Sequence, residues 1–262
     1  MNQTKDSEAY LNKKQFFNQL LTIYGRKPVL EALEDQHTKV YRLHLADKNK
    51  PAAIMSDIIR LAENKGAEVV YHDRKSLSRI SKNSKQDQGV AVDLICKGYQ
   101  DYKDFLIQHQ DQPFDIIALD RITNPQNLGM IIRSVCAGAT TALLLPEQGC
   151  AKLDALVIKA SAGVLFRASI LRCNNLVEAL ADFKKADCDI YGLSSHATHQ
   201  FSDVPAQGRN LFVLGNETDG VSKPVSDQCN KMLSIPMNNG VESLNVAVTA
   251  SLIAYRTLLR IA

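Results

Sequence analysis

Polar residues able to bind a ligand follow an apolar segment in the later part of the chain. Gly215 and Glu217 come directly after the apolar run 211–214, and Ser243 and Asn245 lie at the start of a long apolar helix. The run 211–214 has the length and composition of a buried parallel strand. Open α/β sheets bind ligands in crevices formed by strand ends and helix N-termini, so these residues predict the active site.

A second predicted strand, 232–235, precedes the polar loop 237–242, which leads to Ser243. We expect the strands 211–214 and 232–235 to end side by side at this crevice. The helix after Asn245 carries apolar residues on more than one face: Val246, Val248, Leu252, Ile253 and Leu258. We therefore expect this helix to be buried on several sides.

Arg133 is a further candidate, in a predicted helix that starts near Asn127. Asn127 is a plausible N-cap of that helix. Arg133 has the apolar neighbours Ile132 and Val135, and an arginine in such surroundings usually has a bound anion or a carboxylate partner. We therefore expect Arg133 to bind an anionic group.

The chain lacks the motifs of several common chemistries. No G-x-G-x-x-G follows a strand and no G-x-x-x-x-G-K-[ST] is present, so neither a dinucleotide fold nor a P-loop is expected. Ser243 is not in a G-x-S-x-G nucleophile elbow. His196 and His199 stand among Ser, Thr and Gln, which predicts a surface loop rather than a metal pair. We expect no metal site.

From the composition we expect a soluble, cytoplasmic protein. The 262 residues are 45% hydrophobic, which is enough for a buried core, and the net charge of +3 permits an anionic partner without proving one. The six cysteines are scattered without a C-x-x-C pair, as is typical of buried, reduced thiols. The polar N-terminus lacks a signal core, and no apolar run approaches the ~20 residues needed to cross a membrane.

Strand and helix patterns alternate along most of the chain, which predicts an α/β fold with a mostly parallel sheet covered on both faces. The polar stretch 99–113 suits a linker or a short bridging helix. We therefore divide the chain into a polar leader at 1–20, a small α/β domain at 21–98, the linker at 99–113 and a larger α/β domain at 114–262.

A basic stretch lies within the small domain. Against the single acid Asp73 it carries Arg74, Lys75, Arg79, Lys82 and Lys85. This composition suits a solvated surface helix and loop, or a patch that contacts the phosphates of a nucleic acid.

Three motifs in the larger domain follow one another in a recognisable order. They are N-x-G-x-x-x-R at 127–133, L-G-N-E-x-x-G at 214–220 and I-P-M-x-x-G-x-E-S-L-N-V at 235–246. Together they resemble the signature motifs of the SpoU (TrmH-type) ribose methyltransferases of the SPOUT class. In the small domain, Tyr24-Gly25 and the segment 88–91 resemble the ribosomal-protein-like RNA-binding domain of the branch that modifies ribosomal RNA.

The resemblance implies a trefoil-knotted C-terminal domain that holds S-adenosylmethionine, an obligate homodimer, and methylation of a ribose 2′-hydroxyl in RNA. Carried over by motif, the cofactor-binding residues are Leu214, Gly215, Ile235, Met237 and Leu244. The residues implied to line the reaction centre are Asn127, Arg133, Glu217, Ser243 and Asn245.

The roles of these residues stay open at this point. Arg133 is implied to act as a base, but a guanidinium gives up its proton so reluctantly that orienting a phosphate and stabilising the developing alkoxide suit it equally well. Capping of helices or turns is the simpler explanation of Glu217, Ser243 and Asn245.

The extra N-terminal domain favours a guanosine of 23S ribosomal RNA as the target. Three alternatives remain open. The enzyme could methylate tRNA, it could methylate a ribosomal adenosine to confer antibiotic resistance, or the chain could be a catalytically silent RNA-binding factor with the same fold.

Overall fold

The computed structural model describes residues 16–17, 20–36, 38–49, 52–96 and 98–259. The chain divides into two compact units, Met1–Tyr99 and Gln100–Ala262. Most of the predicted leader at 1–20 lies outside the described residues. No helix in the described ranges has both the length and the apolarity needed to cross a membrane.

The described residues of the first unit form a four-stranded mixed sheet and the helices α1, α2 and α3. Its elements are β1 (Leu20–Tyr24), α1 (Arg26–Glu34), β2 (Lys39–Ala46), α2 (Ala53–Asn64), β3 (Glu68–His72), α3 (Arg74–Ser81) and β4 (Val90–Ile95). The strand order is β1-β4-β2-β3, with β4 antiparallel to β1 and β2, and β2 parallel to β3. The strand β1 was not predicted, because its five residues adjoin the polar leader and only Leu21 and Ile23 are buried.

The second unit is built on an eight-stranded sheet. Its first elements are β5 (Tyr99–Asp101), α4 (Tyr102–Gln108), β6 (Phe114–Leu119), α5 (Pro125–Ala137), β7 (Ala142–Pro146), α6 (Ala155–Ala160), β8 (Ile170–Cys173) and α7 (Leu176–Lys185). The remaining elements are β9 (Asp189–Leu193), β10 (His199–Gln200), β11 (Arg209–Leu214), α8 (Lys223–Ser226), β12 (Lys231–Ser234) and α9 (Val246–Tyr255). Short 3-10 turns lie at Val164–Arg167 and Phe201–Asp203.

The strand order of this sheet is β10-β12-β9-β11-β6-β7-β8-β5, and neighbouring strands from β10 to β8 are parallel. The predicted, mostly parallel α/β fold is therefore confirmed. One detail of the prediction is wrong, because β11 and β12 do not end side by side. The strand β9 lies between them and adds its own C-terminal loop to the crevice.

The stretch 99–113, predicted as a linker, contains the strand β5 and the helix α4. Tyr102 and Phe105 of α4 are buried in the core of the second unit, where their rings contact Phe183 and Phe114. Two buried aromatic side chains fix this helix to the core, although most of the stretch is polar.

The helix α9 is less buried than predicted. Ala250 and Ile253 are buried, whereas Val248 and Leu252 remain 48% and 39% exposed. The expectation of burial on several sides is therefore wrong within the single chain. An apolar helix face that stays exposed is typical of an interface with another molecule.

All six cysteines are free thiols, as the scattered spacing predicted. Cys96, Cys173 and Cys188 are buried, and burial raises the pKa of each thiol to about 12. These three side chains therefore stay protonated at neutral pH. Cys136, by contrast, is exposed on α5.

A largely buried ion pair attaches the end of α9 to the strand β6. The Nε and Nη2 atoms of Arg256 donate to the carboxylate of Asp115 at 2.8 Å each, and its Nη1 atom donates to the carbonyl oxygen of Pro205 at 2.9 Å. The guanidinium also lies 5.1 Å from the ring centre of Phe212. Asn210 donates a further hydrogen bond to Asp115 at 2.8 Å, so the buried carboxylate is well satisfied.

We predict that Arg256→Met lowers the free energy of unfolding of the second unit by about 3–5 kcal/mol, because Asp115 is left buried without its charge partner. Urea unfolding followed by circular dichroism measures the loss. The double variant Asp115→Leu/Arg256→Met should lose less than the single one, and Arg60→Met, at an exposed arginine of α2, should lose almost nothing. A loss below about 1 kcal/mol for Arg256→Met would contradict the role of the pair.

Candidate functional site

A cavity of about 420 Å³ lies at the carboxyl ends of β9, β11 and β12. Three loops line it, and each follows one of these strands. Of the residues proposed from the sequence, the lining includes Leu214, Gly215, Glu217, Ile235, Met237, Ser243 and Leu244. Asn127, Arg133 and Asn245 are not part of the lining.

Asn127 nevertheless connects the three motifs at the rim of this cavity. Its Nδ2 atom donates to the carboxylate of Glu217, and its Oδ1 atom accepts from Nδ2 of Asn245 at 3.2 Å. The side chain of Asn245 caps α9, where its Oδ1 atom accepts from the backbone nitrogen of Ala247 at 2.8 Å. A directional chain of hydrogen bonds therefore runs from the N-terminus of α9 to the carboxylate of Glu217.

The direction of these hydrogen bonds suits the charges at their two ends. The N-terminus of a helix carries a partial positive charge, and each amide in the chain is polarised toward the negative carboxylate. Asn127 itself is buried, so both polar atoms of its amide need partners, and both have them. The expected N-cap role of Asn127 is wrong, because Asn124 caps α5 instead and Asn127 lies in its first turn.

The loop after β11 folds back so that the backbone of Gly220 and Val221 lies against Gly215. A Cβ atom at Gly215 would overlap the backbone of Gly220 and Val221, so any other residue would force the loop open. Asn216 and Gly220 form an isolated β-bridge, with the Gly220 nitrogen donating to the Asn216 carbonyl at 2.8 Å. The shape of this wall of the cavity therefore depends on a glycine at 215.

Asp120 and Arg121, which follow β6, bind the same loop. The carboxylate of the buried Asp120 accepts from the nitrogen of Ser222 at 2.6 Å. The guanidinium of Arg121 donates to the Gly220 carbonyl at 3.1 Å and to the Asp219 carboxylate at 3.3 Å. The Arg121 carbonyl, in turn, accepts from Nδ2 of Asn216 at 3.1 Å.

Arg121 adopts the left-handed backbone conformation, with φ of 61°. Only a few per cent of residues other than glycine do so, and the strain persists only where surrounding contacts stabilise it. Sequence reasoning missed Asp120 and Arg121. The available signal was their position directly after a predicted strand of a parallel sheet, where polar residues face the ligand crevice.

Gly129 has a packing role rather than a chemical one. A Cβ atom there would overlap Cβ of Ala160 and crowd the Val157 carbonyl oxygen, so the glycine lets α5 and α6 approach closely. The glycine of N-x-G-x-x-x-R is thus explained by helix contact.

Arg133 does not reach the cavity of its own chain. The helix α5 buries Ile131, Ile132 and Val135, whereas Arg133 is exposed on the outer face with Met130. Its apolar neighbours in sequence lie on another face of α5, because successive residues of a helix point about 100° apart. The expectation that Arg133 binds an anionic group therefore stays a prediction. Within the described part of the chain, Arg133 has no hydrogen-bond or ion-pair partner.

His196 was predicted to lie in a surface loop, and it is exposed, but it also lines the cavity after β9. The ionisable residues of the lining are otherwise acidic: Glu217, Asp219 and Glu242. Since Arg121 pairs with Asp219, the lining keeps an excess of negative charge and favours a ligand that carries a positive group. Among the described residues, no group of three or more His, Cys, Asp or Glu side chains is placed to hold a metal ion.

Comparison with solved structures identifies the class of protein. An AdoMet-bound rRNA methyltransferase from Sinorhizobium meliloti matches with a TM-score of 0.60 at 19% sequence identity, covering 96% of this chain and 91% of that one. The TrmH/SpoU tRNA modifying enzyme of A. aeolicus matches with a TM-score of 0.50 at 26% identity, covering 60% of this chain and 83% of that one. The fold is that of the SPOUT methyltransferases, preceded by a substrate-binding domain, as predicted.

Sequence comparison gives the family. Residues 115–255 match the SpoU rRNA methylase family, and residues 22–100 match the domain described as RNA 2′-O ribose methyltransferase substrate binding. An uncharacterized tRNA/rRNA methyltransferase of Mycolicibacterium vanbaalenii is 31% identical over 88% of this chain and 74% of its own length. The chain belongs to the SpoU family of RNA methyltransferases.

We predict that Arg121→Ala loosens the loop 216–222 while the rest of the unit stays folded. Loss of the contacts to Gly220 and Asp219 should raise amide hydrogen exchange in this loop by about tenfold, the effect of roughly 1.4 kcal/mol. Hydrogen exchange with mass spectrometry measures the change peptide by peptide. Lys223→Ala, which breaks only the exposed ion pair with Asp227, is the matched control. Unchanged hydrogen exchange at 216–222 in Arg121→Ala would show that the contacts of Arg121 do not stabilise this loop.

Proposed function

We propose that this protein transfers a methyl group from S-adenosylmethionine to a ribose 2′-hydroxyl of RNA, most specifically of a guanosine in 23S ribosomal RNA. The observation that carries the proposal is the hydrogen-bond chain through Asn127, which joins residues of all three motifs beside one cavity. Glu217 and Asn245 are 90 and 118 positions away from Asn127 in sequence, so chance contact is a poor explanation.

The residues that line the cavity fit S-adenosylmethionine. A volume of about 420 Å³ is within the range of small-ligand sites, and Leu214, Ile235 and Leu244 offer apolar contact to a purine ring. Ser243 and the backbone amides around Gly215 can bind its polar groups, while the acidic lining favours its positive charge. When bound, the cofactor would supply a methyl group on a positively charged sulfur, which leaves as a neutral thioether.

The protein must align the ribose oxygen with that methyl group and deal with the hydroxyl proton. A 2′-hydroxyl is a poor nucleophile, so its proton must pass to a neighbouring base or phosphate as the oxygen attacks. Glu217 is held by the amide of Asn127, which fixes the carboxylate at the rim where the ribose would enter. We propose that Glu217 and Ser243 orient the ribose, and that Asn127 and Asn245 position Glu217.

Arg133 would then act on the phosphate next to the ribose. Its guanidinium can bind two phosphate oxygens at once and stabilise the developing alkoxide, a role that suits a guanidinium better than proton abstraction does. Since Arg133 does not line the cavity of its own chain, we propose that it completes the cavity of a second copy in a homodimer.

The surface around Arg133 supports such a dimer. The helices α5 and α9 pack together, with a hydrogen bond of 2.8 Å between the hydroxyls of Ser134 and Ser251. Met130, Val248 and Leu252 are exposed on these two helices, each within four positions of that bond. An exposed apolar surface of this kind marks an interface, and Arg133 lies within it.

Ribosomal RNA is favoured over tRNA by the first unit. The solved rRNA methyltransferase aligns with nearly the whole chain, whereas the tRNA enzyme aligns with only 60% of it. A separate substrate-binding domain suits a large structured RNA, which must be positioned by contacts remote from the methylated ribose. This methylation would take place in the cytoplasm.

We predict that Arg133→Ala lowers methyl transfer by at least about 100-fold and leaves the dissociation constant for S-adenosylmethionine unchanged, because its contact is to the RNA. Arg133→Lys should also fail, since lysine cannot bind a phosphate with two parallel hydrogen bonds. Transfer of a labelled methyl group to total RNA, separated into ribosomal RNA and tRNA, measures activity, and calorimetry measures cofactor binding.

Arg60→Ala removes an exposed arginine of the first unit and should leave transfer unchanged. Loss of cofactor binding in Arg133→Ala would assign Arg133 a structural role. Labelling confined to tRNA would show that tRNA, and not ribosomal RNA, is the substrate. Absence of labelling by the wild type would indicate a catalytically silent RNA-binding factor.

We expect Arg133→Ala and Glu217→Ala each to be inactive alone. We predict that co-expression of the two variants yields mixed dimers in which activity is restored. In a mixed dimer, the cavity of the Arg133→Ala chain keeps Glu217 and receives an intact Arg133 from the other copy. Purified mixed dimers should therefore recover about half of the wild-type activity per dimer, because one of two sites is complete.

The control is a mixed dimer of wild type with a chain that carries both substitutions. In that dimer one cavity lacks Glu217 and the other receives no Arg133 from the second copy, so neither site is complete. Absence of recovery in the Arg133→Ala/Glu217→Ala mixture would show that both residues act within one chain. Leu252→Glu should yield monomers in light scattering if the α5 and α9 surface forms the dimer.

A further inference from the structure

Four polar side chains form a continuous series of hydrogen bonds across the sheet of the first unit. Thr22 donates through Oγ1 to the Asp93 carboxylate at 2.6 Å, and the other oxygen of Asp93 lies 3.1 Å from Nε2 of His44. The Nδ1 atom of His44 lies 2.9 Å from Nε2 of His72. These residues stand on β1, β4, β2 and β3, which is the strand order of the sheet. The series therefore links the edge strand β3 to the other three strands.

The strand register places these side chains on one face of the sheet. The first two members are paired directly. His44 is paired with Ala91 on one side and with Val70 on the other, so Asp93 and His72 are its diagonal neighbours, each two positions further along. Residues two apart in a strand point to the same face, and long side chains reach their diagonal neighbours.

The carboxylate of Asp93 fixes the direction of these bonds. Burial alone would raise the pKa of Asp93, but the hydrogen bonds from His44 and Thr22 outweigh burial and keep that pKa below its usual value. A carboxylate only accepts, so Nε2 of His44 must donate to it. With both rings neutral, Nδ1 of His44 is then the acceptor and Nε2 of His72 is the donor.

The two rings can share one added proton but not two. A proton on Nδ1 of His44 keeps the contact, because that nitrogen then donates and Nε2 of His72 accepts. With a second proton, both facing nitrogens carry hydrogen, and two positive rings lie together with His44 buried, so the contact is lost. Burial and the neighbouring His44 accordingly lower the pKa of His72.

The other charges around His72 do not reverse this effect. Asp47 and Asp73, which follow β2 and β3, act to raise its pKa, whereas Arg42 on β2 acts to lower it. Arg42 is itself paired with Glu68 of β3 at 2.6 Å. The remaining titratable residues of the neighbouring elements are Tyr24 of β1, Asp87 after α3, and the exposed Arg74, Lys75 and Arg79 of α3.

The strand β3 has few other contacts to hold it in place. It lies at the edge of the sheet, and none of its five residues is buried. Besides the backbone pairing, two side-chain contacts join it to β2, namely His44 with His72 and Arg42 with Glu68. His72 is followed directly by Asp73, whose carboxylate caps α3. Loss of the contact between the rings would thus loosen β3 and the beginning of α3.

We propose that the contact between His44 and His72 is a proton-dependent latch, which holds β3 to the sheet at neutral pH and opens when both rings carry a proton. Because the unfolded chain protonates His72 more readily than the folded chain does, the latch stabilises the first unit fully above the ordinary histidine pKa of about 6.5. This contribution is lost as the pH falls through the lower pKa of His72 in the folded state. The first unit therefore loosens in mildly acidic solution.

The test measures amide hydrogen exchange of the full chain by mass spectrometry at about pH 5, 6 and 7.5, corrected for the pH dependence of chemical exchange. We expect protection in β3 and at the beginning of α3 to fall about tenfold from the highest to the lowest pH, the effect of one lost hydrogen-bonded contact. His72→Gln keeps an amide that can bond to His44 but takes up no proton, so its protection in β3 should not vary with pH. The control His199→Gln changes an exposed histidine of the second unit and should keep the wild-type pH dependence.

Wild-type protection in β3 that is equal at all three pH values would overturn the latch, as would the same pH dependence in His72→Gln and the wild type. If circular dichroism shows that His72→Gln does not fold, NMR titration of the wild type with labelled histidine decides. We expect two rings to titrate in coupled steps, one of them at lower pH than an exposed histidine. Independent titration of all six rings near the ordinary histidine pKa would overturn the latch.

Discussion

The amide of Asn127 is the contact on which the arrangement of the site depends. It donates to Glu217 and accepts from Asn245, so it joins segments that are far apart in the chain. An amide suits this position because it donates and accepts at once, whereas a carboxylate would repel Glu217 and a leucine would remove both hydrogen bonds. Since Asn245 also caps α9, the orientation of that helix and the position of the Glu217 carboxylate are fixed together.

The helix α5 serves two surfaces at once. Its inner face buries Asn127 and lets Gly129 contact α6, whereas its outer face exposes Met130 and Arg133. One rigid helix therefore fixes the distance between Asn127, at the rim of its own cavity, and a residue proposed to act in another copy. The motif N-x-G-x-x-x-R places its first and last residues on different faces, which the sequence spacing alone did not reveal.

Most elements of the second unit were predictable because buried parallel strands are short apolar runs with polar ends. The cavity residues Gly215, Ile235 and Leu244 followed from this pattern together with the family motifs. The errors have different causes, since some concern distant segments and others concern the position of a residue within one helix. The position of β9 between β11 and β12 is set by chain crossovers, and the exposure of Arg133 is set by the direction of a helix face. Asp120 and Arg121 were missed because their partners are about 100 positions away.

The strand order has a consequence for biosynthesis. Both sheet neighbours of β9, which are β11 and β12, are translated after it. While the ribosome is still adding these residues, β9 has no partner on either edge, and its backbone amides and carbonyls stay open to other chains. The growing polypeptide must therefore keep an apolar strand from aggregating until β11 inserts between β9 and β6. Such late, non-local pairing predicts slow folding of this part of the sheet.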